Sequence, residues 1–567
     1  MATTEVTNFP RESTLVRIAD ALERNHTQQV LAQLDGTVTT YRKCMRDWFL
    51  YRGAARATPR ELTELCNEWY AATRTITTWC GGVEFYQPTV SAVSTGERFG
   101  DNVGMTCVPS TDTVANTDDY AGEPLFVPTD VNWTLDATGK RLITAIDGIT
   151  SNFRRRDTSV YVGVMQMAPW YFEYADNNVY ARGIAAQQSV DYDVHPLVEA
   201  VQPDGTLSEF VLHPKYAAHK LTSGALTSCA GVVPSAWMSH NAVRSAANVN
   251  GARYSGECAC DASWLILMAN IKYASLTLDG ILQGCCQNNY QYPAALAETG
   301  VKRVLLTAAQ GAVFEPGMGV LIGNYTTNVD RSYLYSITGT GGAIVTAVEP
   351  VTVGGVDYTA VYVDVPEAFD TAANGAATAG TTYISSFHWA TGTTDGVRGN
   401  DGSPKSCTSG KYPAKLQGVE YMVGAYEVIG DAIFSEDTQA YSAYTCSDAT
   451  KQASSVTADY VDAGLRLPKA ATAGWAYIKK QGFSCGVTMP TVTGGSSSTY
   501  TRDAFYSDAA ATTGLREVLL FGSLFLGAAP AGLSCGSGLY GLGNAHWYIV
   551  SRLSPNGNRG EYDALAA

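Results

Sequence analysis

Apolar positions near the start of the chain recur at helical spacing. Over residues 13–80, Leu15, Val16, Ile18, Leu22, Val30, Leu31 and Leu34 fall on one stripe, which predicts helix. Thr58-Pro59-Arg60-Glu61 adds a start signal: a capping threonine, a proline at the first helical position and a glutamate three residues after the cap. The spacing carries that helix to about Cys80, with Gly81-Gly82 as the stop. Further on the period shortens. Val160 to Val164 and Trp170 to Tyr174 read as strands, while Asp261 is placed to cap a helix running through Trp264, Leu265, Leu267, Met268, Ile271 and Lys272. Between 301 and 385 the pattern turns to short β segments at Val304 to Leu306, Gly319 to Ile322, Ala343 to Val348 and Tyr358 to Val365, separated by turns such as Pro316-Gly317. Residues 386–567 are mixed again, with a Gly/Ser-rich loop at Gly494 to Ser498. No solenoid period repeats.

These patterns predict an α+β chain in four regions. Residues 1–90 form a helical block, either an anchoring and oligomerising element or a layer packed on its own domain. Residues 91–300 form a mixed structural region, 301–385 a small inserted β unit, and 386–567 a C-terminal domain.

Composition narrows the function. With 53 acidic and 38 basic residues among 567, the net charge is −15, which argues against a nucleic-acid partner because phosphate binding needs a basic face. The longest apolar run, Leu519 to Leu533, is short for a membrane span and is broken by Gly522, Gly527 and Pro530. The N-terminus lacks a basic segment followed by an apolar core, so the expectation is a soluble protein made in the cytoplasm without a signal peptide. The 13 cysteines include Cys258/Cys260 and the adjacent Cys285/Cys286, but no paired CxxC, so they read as buried thiols. Histidines do not cluster. Asp395 to Asp401 is a weak calcium candidate that reads better as a turn, so no metal and no cofactor are expected. Arg154-Arg155-Arg156 is a candidate anionic-ligand site, weighed against a solvated turn or intersubunit ion pairs.

The most unusual stretch is Phe521 to Val550. It contains no Lys, Arg, Asp, Glu, Gln or Met. Apart from Trp547, each of its residue types has a codon ending in C or T, the set produced when the adenines of AAC or AAT codons are randomised.

Several blocks in this part of the chain resemble the variable proteins of diversity-generating retroelements, which have a C-type-lectin-like (formylglycine-generating-enzyme-like) fold. Gln417 to Asp431 resembles that fold's "GxENxxGNVWEWxxD" strand pair, with its "NVWEW" part reduced here to Ala425-Tyr-Glu-Val-Ile429. Tyr500 to Ser507 and Thr513 to Ser523 resemble the entry to the variable region, Gly527 to Leu533 its "GAxAGL" scaffold, and Asn544 to Ser554 its closing "NAxWxIxxRLS" strand. The likeness covers roughly the last third of the chain. The catalytic thiol site of the enzymes is not recognisable, so the likeness carries no enzymatic activity.

The resemblance implies a rigid scaffold of Gly522, Gly527, Gly532, Leu533, Trp547, Ile549 and Arg552, with Leu553 beside it. Trp547 would be a core anchor, and Arg552 would hold a carbonyl or carboxylate cluster. It also implies a solvent-facing ligand-binding set: Phe521, Leu524, Phe525, Leu526, Ser534, Cys535, Gly536, Ser537, Tyr540, Gly541, His546, Tyr548 and Val550. Strand alternation would put His546, Tyr548 and Val550 on the outer face and Trp547 and Ile549 on the inner one. Leu524, Phe525, Leu526 and Tyr540 would be hot spots.

The function this implies is a non-catalytic receptor-binding protein of a phage or prophage virion, in a tail or head fibre, displaying a diversified surface for a host-cell-surface protein or glycan. It would sit on the virion surface with other virion proteins, as a homo-oligomer with a trimer favoured. One alternative is a purely structural baseplate or capsid component. Another is a glycan-degrading tailspike, which needs a carboxylate pair; Asp118, Asp119, Asp191 and Asp193 are available, and Asp118-Asp119 reads better as a solvated turn.

Overall fold

The computed structural model describes residues 12–562 except 190, 328, 329, 485, 510, 511, 528 and 529, and leaves out the side chains of 12–15 and 18. The Leu15 and Ile18 side chains, and Ala528-Ala529 of the expected scaffold motif, therefore lie outside the described residues.

The chain opens with α1 (Glu12–Leu31), α2 (Val38–Tyr51) and α3 (Pro59–Arg74). The α3 start is chemically explicit. The Thr58 hydroxyl accepts from the Glu61 N–H, and the Glu61 carboxylate accepts from the Thr58 N–H at 2.8 Å. Val30 and Leu31 are buried, but Val16 and Leu22 of the same stripe are exposed. The helix predicted to reach Cys80 instead ends at Arg74, and Gly81-Gly82 sit inside the strand Cys80–Tyr86. These glycines serve close strand packing. A Cβ on Gly82 would lie 2.2 Å from the Arg182 carbonyl oxygen of the neighbouring strand.

Among the described residues the strands form several sheets, mostly antiparallel. A four-stranded sheet runs Arg141–Ile146, Thr129–Leu135, Tyr161–Met167, Phe210–Pro214, and α3 packs on it. A five-stranded sheet is built around Cys80–Tyr86 and Val179–Ala185. A nine-stranded sheet takes its strands from residues 426–550, with Tyr426–Glu436 between Ala440–Thr445 and Gly514–Leu520. A six-stranded sheet draws all its strands from 291–386; its inner strands Gly319–Asn324, Ala343–Val353 and Val356–Val363 lie where the short β pattern falls. The chain is α+β. No described helix is long and apolar enough to cross a membrane.

Two further helices are α4 (His240–Asn250) and α5 (Ala259–Tyr273). Every residue of α5 from Ala259 to Lys272 is buried, and the helix touches the nine-stranded and five-stranded sheets alike. A mostly apolar helix belongs in such a place, and its buried Lys272 is paired with Asp401 at 2.9 Å. Asp261 caps the helix from inside, as the N3 member of a capping box whose N-cap residue is Cys258. It lies at the third helical position and accepts from the Cys258 N–H at 3.1 Å, while His213 and Asn556 also hold its carboxylate.

One hydrophobic core joins Trp48 and Trp69 of the N-terminal helices, Leu265 and Met268 of α5, and Ile429, Phe505 and Leu553 near the C-terminus. A second core fills the six-stranded unit with Val320, Ile322, Val361 and Ile384. Leu524 and Trp547 are part of this second core, so the C-terminal stretch is pinned onto the β unit.

Candidate recognition surface

The path of 521–550 explains which of its side chains reach solvent. Strand Gly514–Leu520 pairs with Tyr426–Glu436, then the chain turns sharply at Phe521 (φ 77°) and Gly522 (φ 92°). The turn drops Leu524 into the second core, where its backbone N–H donates to the Gly424 carbonyl at 3.1 Å. Phe525 emerges on the far side and is 39% exposed. Leu526 is half-buried.

The chain returns to the sheet at Gly536–Ser537, wedged between Ala504–Ser507 and Gly514–Leu520. There Ser534, Cys535, Gly536 and Ser537 are buried, against the expectation that they face solvent. Both neighbours of the short strand are paired, and the ring of Phe505 lies 3.1 Å from where a Gly536 Cβ would be. The Ser534 N–H donates to the buried Asp503 carboxylate at 2.8 Å.

The last segment leaves through an exposed turn at Gly543 to Ala545 and re-enters as Ile549–Val550, parallel to Tyr426 and Glu427. Burial alternates over four residues, His546 and Tyr548 half-buried and Trp547 and Ile549 buried, although of these only Ile549 is strand. The alternation fails at Val550, which is buried with Ala217, Val423 and Ala425. The segment at Ala217 covers that face of the strand, with the Ala218 N–H bonded to the Ser551 carbonyl. Phe521 and Leu524 are also buried. In this conformation Phe521, Leu524, Ser534, Cys535, Gly536, Ser537 and Val550 cannot present their side chains to a ligand.

The remaining members gather into an aromatic patch. The His546 and Tyr548 rings stack with planes 2° apart and centroids 5.0 Å apart. Tyr540 lies 4.6 Å from His546, and its hydroxyl meets that of Tyr548. Phe525 tilts against Tyr548 at 5.1 Å and against Trp547 at 6.0 Å. Gly541 lies in the adjoining turn and is half-buried; its N–H donates to the Asn544 side chain. The β unit contributes Tyr333, whose hydroxyl lies 3.3 Å from His546 Nδ1. Tyr335 of the same unit packs edge-on against Trp237 at 5.4 Å, and the Trp237 N–H donates to the His546 carbonyl. Tyr333, Tyr335 and Trp237 lie in no motif, and nothing in the local sequence marks them for this surface. Burial lowers the His546 pKa, so its ring is neutral near pH 7. The patch is apolar with hydroxyl tips.

Two residues beyond Val550, the buried Arg552 anchors the chain end of this segment. The guanidinium grips Glu427 with two nitrogens, Nη2 at 2.7 Å, and also donates to the carbonyls of Glu420, Pro214 and Lys215. Glu257 lies 3.7 Å away. Burial and the Glu427 charge push Glu257 well above the ordinary carboxylate range.

Other sequence candidates resolve differently. Of the Asp118-Asp119 pair, Asp119 is exposed in a turn, as read, but Asp118 turns inward to the buried Lys272 ammonium at 3.3 Å; Asp191 and Asp193 are exposed. Asp395 and Asp401 turn to separate cations, Asp395 to Arg155 and Lys215, Asp401 to Lys272. Of the arginine triple, Arg155 is bound by carboxylates, while Arg154 and Arg156 are exposed. Cys258, Cys260, Cys285 and Cys286 are buried and free. No known family model matches this sequence, and no curated protein does.

Proposed function

We propose that this chain is a non-catalytic receptor-binding protein of a phage or prophage virion, whose C-terminal region adopts a C-type-lectin-like arrangement and binds a host-cell-surface protein or glycan. The observation that carries this reading is the patch of Phe525, Tyr540, His546, Tyr548 and Tyr333, beside a backbone paired at Ile549–Val550 with Tyr426 and Glu427. Aromatic side chains with polar tips supply large contact area at low entropic cost, as antibody paratopes do. The rigid support lowers the ordering cost of binding. Exposed Val16 and Leu22 on α1 support a contact between copies at the opposite end of the chain, in a symmetric oligomer for which a trimer is favoured. Diversification would act through the codon-restricted stretch, with Phe525, Leu526, Tyr540, Gly541, His546 and Tyr548 as the positions able to alter binding.

The test is binding of the full chain to arrays of bacterial surface glycans and to intact cells, beside the double variant Phe525→Ala/Tyr540→Ala. Capture lost in the variant supports recognition by the patch; equal capture rejects it. Sequencing the DNA flanking the gene tests diversification separately. It should hold a near-copy of the 3′ segment, with mismatches at template adenines, and a reverse transcriptase.

The structural-component reading draws on one observation: seven of the residues assigned to the ligand face are buried in the fold. An invariant 521–550 segment among isolates, with no cell binding, would favour it.

A further inference from the structure

A cleft of about 700 Å³ opens between α2, the ends of the four-stranded sheet at Pro128 to Asp130 and Asp147 to Ile149, and the segment 395–418. It shares no lining residue with the aromatic patch. Although the chain carries a net charge of −15, this cleft is lined by seven lysines and arginines and three aspartates.

The three carboxylates are already engaged. Arg155 bonds Asp130 and Asp147 and lies 3.4 Å from Asp395; Lys215 reaches Asp130 at 2.8 Å and Asp395 at 3.5 Å. The Tyr216 hydroxyl also donates to Asp395. Lys43 and Arg46 turn to Asp47. Arg42, Arg398 and Lys415 are left with no carboxylate partner among the described residues.

Two of the remaining donors are deeply placed. Lys415 is 7% exposed, and its ammonium meets only the Val397 carbonyl, at 3.0 Å. Burial and the neighbouring Lys215 cation lower its pKa to about 8, still protonated at neutral pH. Asn400 is 8% exposed, and its Nδ2 has no hydrogen-bond partner among the described residues. A buried donor without an acceptor is costly, so the Asn400 amide favours an incoming oxygen, and the Lys415 ammonium has donor capacity beyond its one bond to Val397. The walls between them include Met45, Pro128, Ile149 and Val397, which suit the C–H face of a sugar ring. The volume falls in the range that holds a small organic ligand.

We propose that this cleft binds an anionic sugar, its carboxylate, sulfate or phosphate oxygens on Arg42, Arg398, Lys415 and Asn400 and its ring against the apolar wall. The site is separate from the aromatic patch and stands or falls apart from it.

Calorimetric titration of the full chain with glucuronic acid, N-acetylneuraminic acid, glucose 6-sulfate and glucose 6-phosphate tests this, with glucose and inorganic phosphate alongside. At least one anionic sugar should bind about tenfold or more tightly than glucose and than inorganic phosphate, as expected of a charge-assisted contact. Which one binds assigns the anionic group. Arg42→Gln and Arg398→Gln, both at exposed positions, should each weaken that binding about tenfold without moving the melting temperature. Lys415→Met should weaken it further; if that variant does not fold, the two arginine variants decide. Silence of all four sugars, glucose binding equally well, inorganic phosphate matching the tightest sugar, or full binding by the Arg42→Gln/Arg398→Gln double variant would each overturn the proposal.

Discussion

Leu524 and Phe525 are neighbours in the chain and face opposite environments: Leu524 is 1% exposed in the core of the β unit, and Phe525 is 39% exposed on the aromatic patch. The same apolar pair therefore has two different jobs. Leu524→Ala should cost roughly 2–5 kcal/mol by opening a cavity where the C-terminal stretch meets the six-stranded unit. Phe525→Ala should change stability little and act on ligand capture instead. Denaturant melts of the two variants check this, and similar losses in both would refute the division.

Arg552 and Glu427 make a second pair worth testing. Arg552→Met leaves the Glu427 carboxylate buried and unpaired, an expected loss of about 3–5 kcal/mol. Arg552→Lys should rescue only part of it, because one ammonium cannot grip Glu427 with two nitrogens and still serve three carbonyls. Equilibrium unfolding of both variants is the measurement, and full rescue by lysine would contradict the geometry.

Glu517 predicts a pH dependence. Burial raises its pKa from 4.5 to about 8, even though its carboxylate accepts from the His240 N–H at 2.9 Å. The folded state then holds a proton that the unfolded chain releases above pH 4.5, so this group's contribution to stability falls as pH rises from about 4.5 to about 8. Asp503, also raised to about 8 by burial, has the same sign. Glu517→Gln should match the wild type at pH 4 and exceed it by roughly 2–4 kcal/mol at pH 8. Denaturation midpoints measured across that range should diverge; parallel profiles would show that Glu517 does not titrate in this way.

The α3 cap offers a local control. Thr58→Ala removes the acceptor for the Glu61 N–H and should cost about 1 kcal/mol. Hydrogen exchange should report the loss in the first turn of α3, with the aromatic patch unaffected. No change in that turn would mean that the cap is not what holds it.

Much of the local structure was legible because its causes are local. The α3 cap is written in four consecutive residues. The strands between 303 and 363 are short β-type runs bounded by turn residues, a local pattern that needs no knowledge of their partners. Gly81-Gly82 misled because a glycine pair marks a helix stop and a close strand crossing equally well; the deciding atoms, Phe99 and Arg182, lie elsewhere in the chain. Most of the ligand-face expectation failed for a related reason. A charge-free stretch suits a recognition loop and a buried strand alike, and Gly536–Ser537 became buried through pairing with 504–507 and 514–520.

By itself the sequence determined the mixed helix-and-strand class, the β character of 301–385 and the unusual chemistry of 521–550, because each is set by residue type and short-range spacing. Only the tertiary structure decided which aromatics share a surface. Tyr333 meets His546 across 213 positions of chain, and Arg42 shares a cleft with Lys415. Exposure depends on what packs above a side chain, and charge pairing depends on which distant carboxylates arrive first; neither is encoded in neighbouring residues.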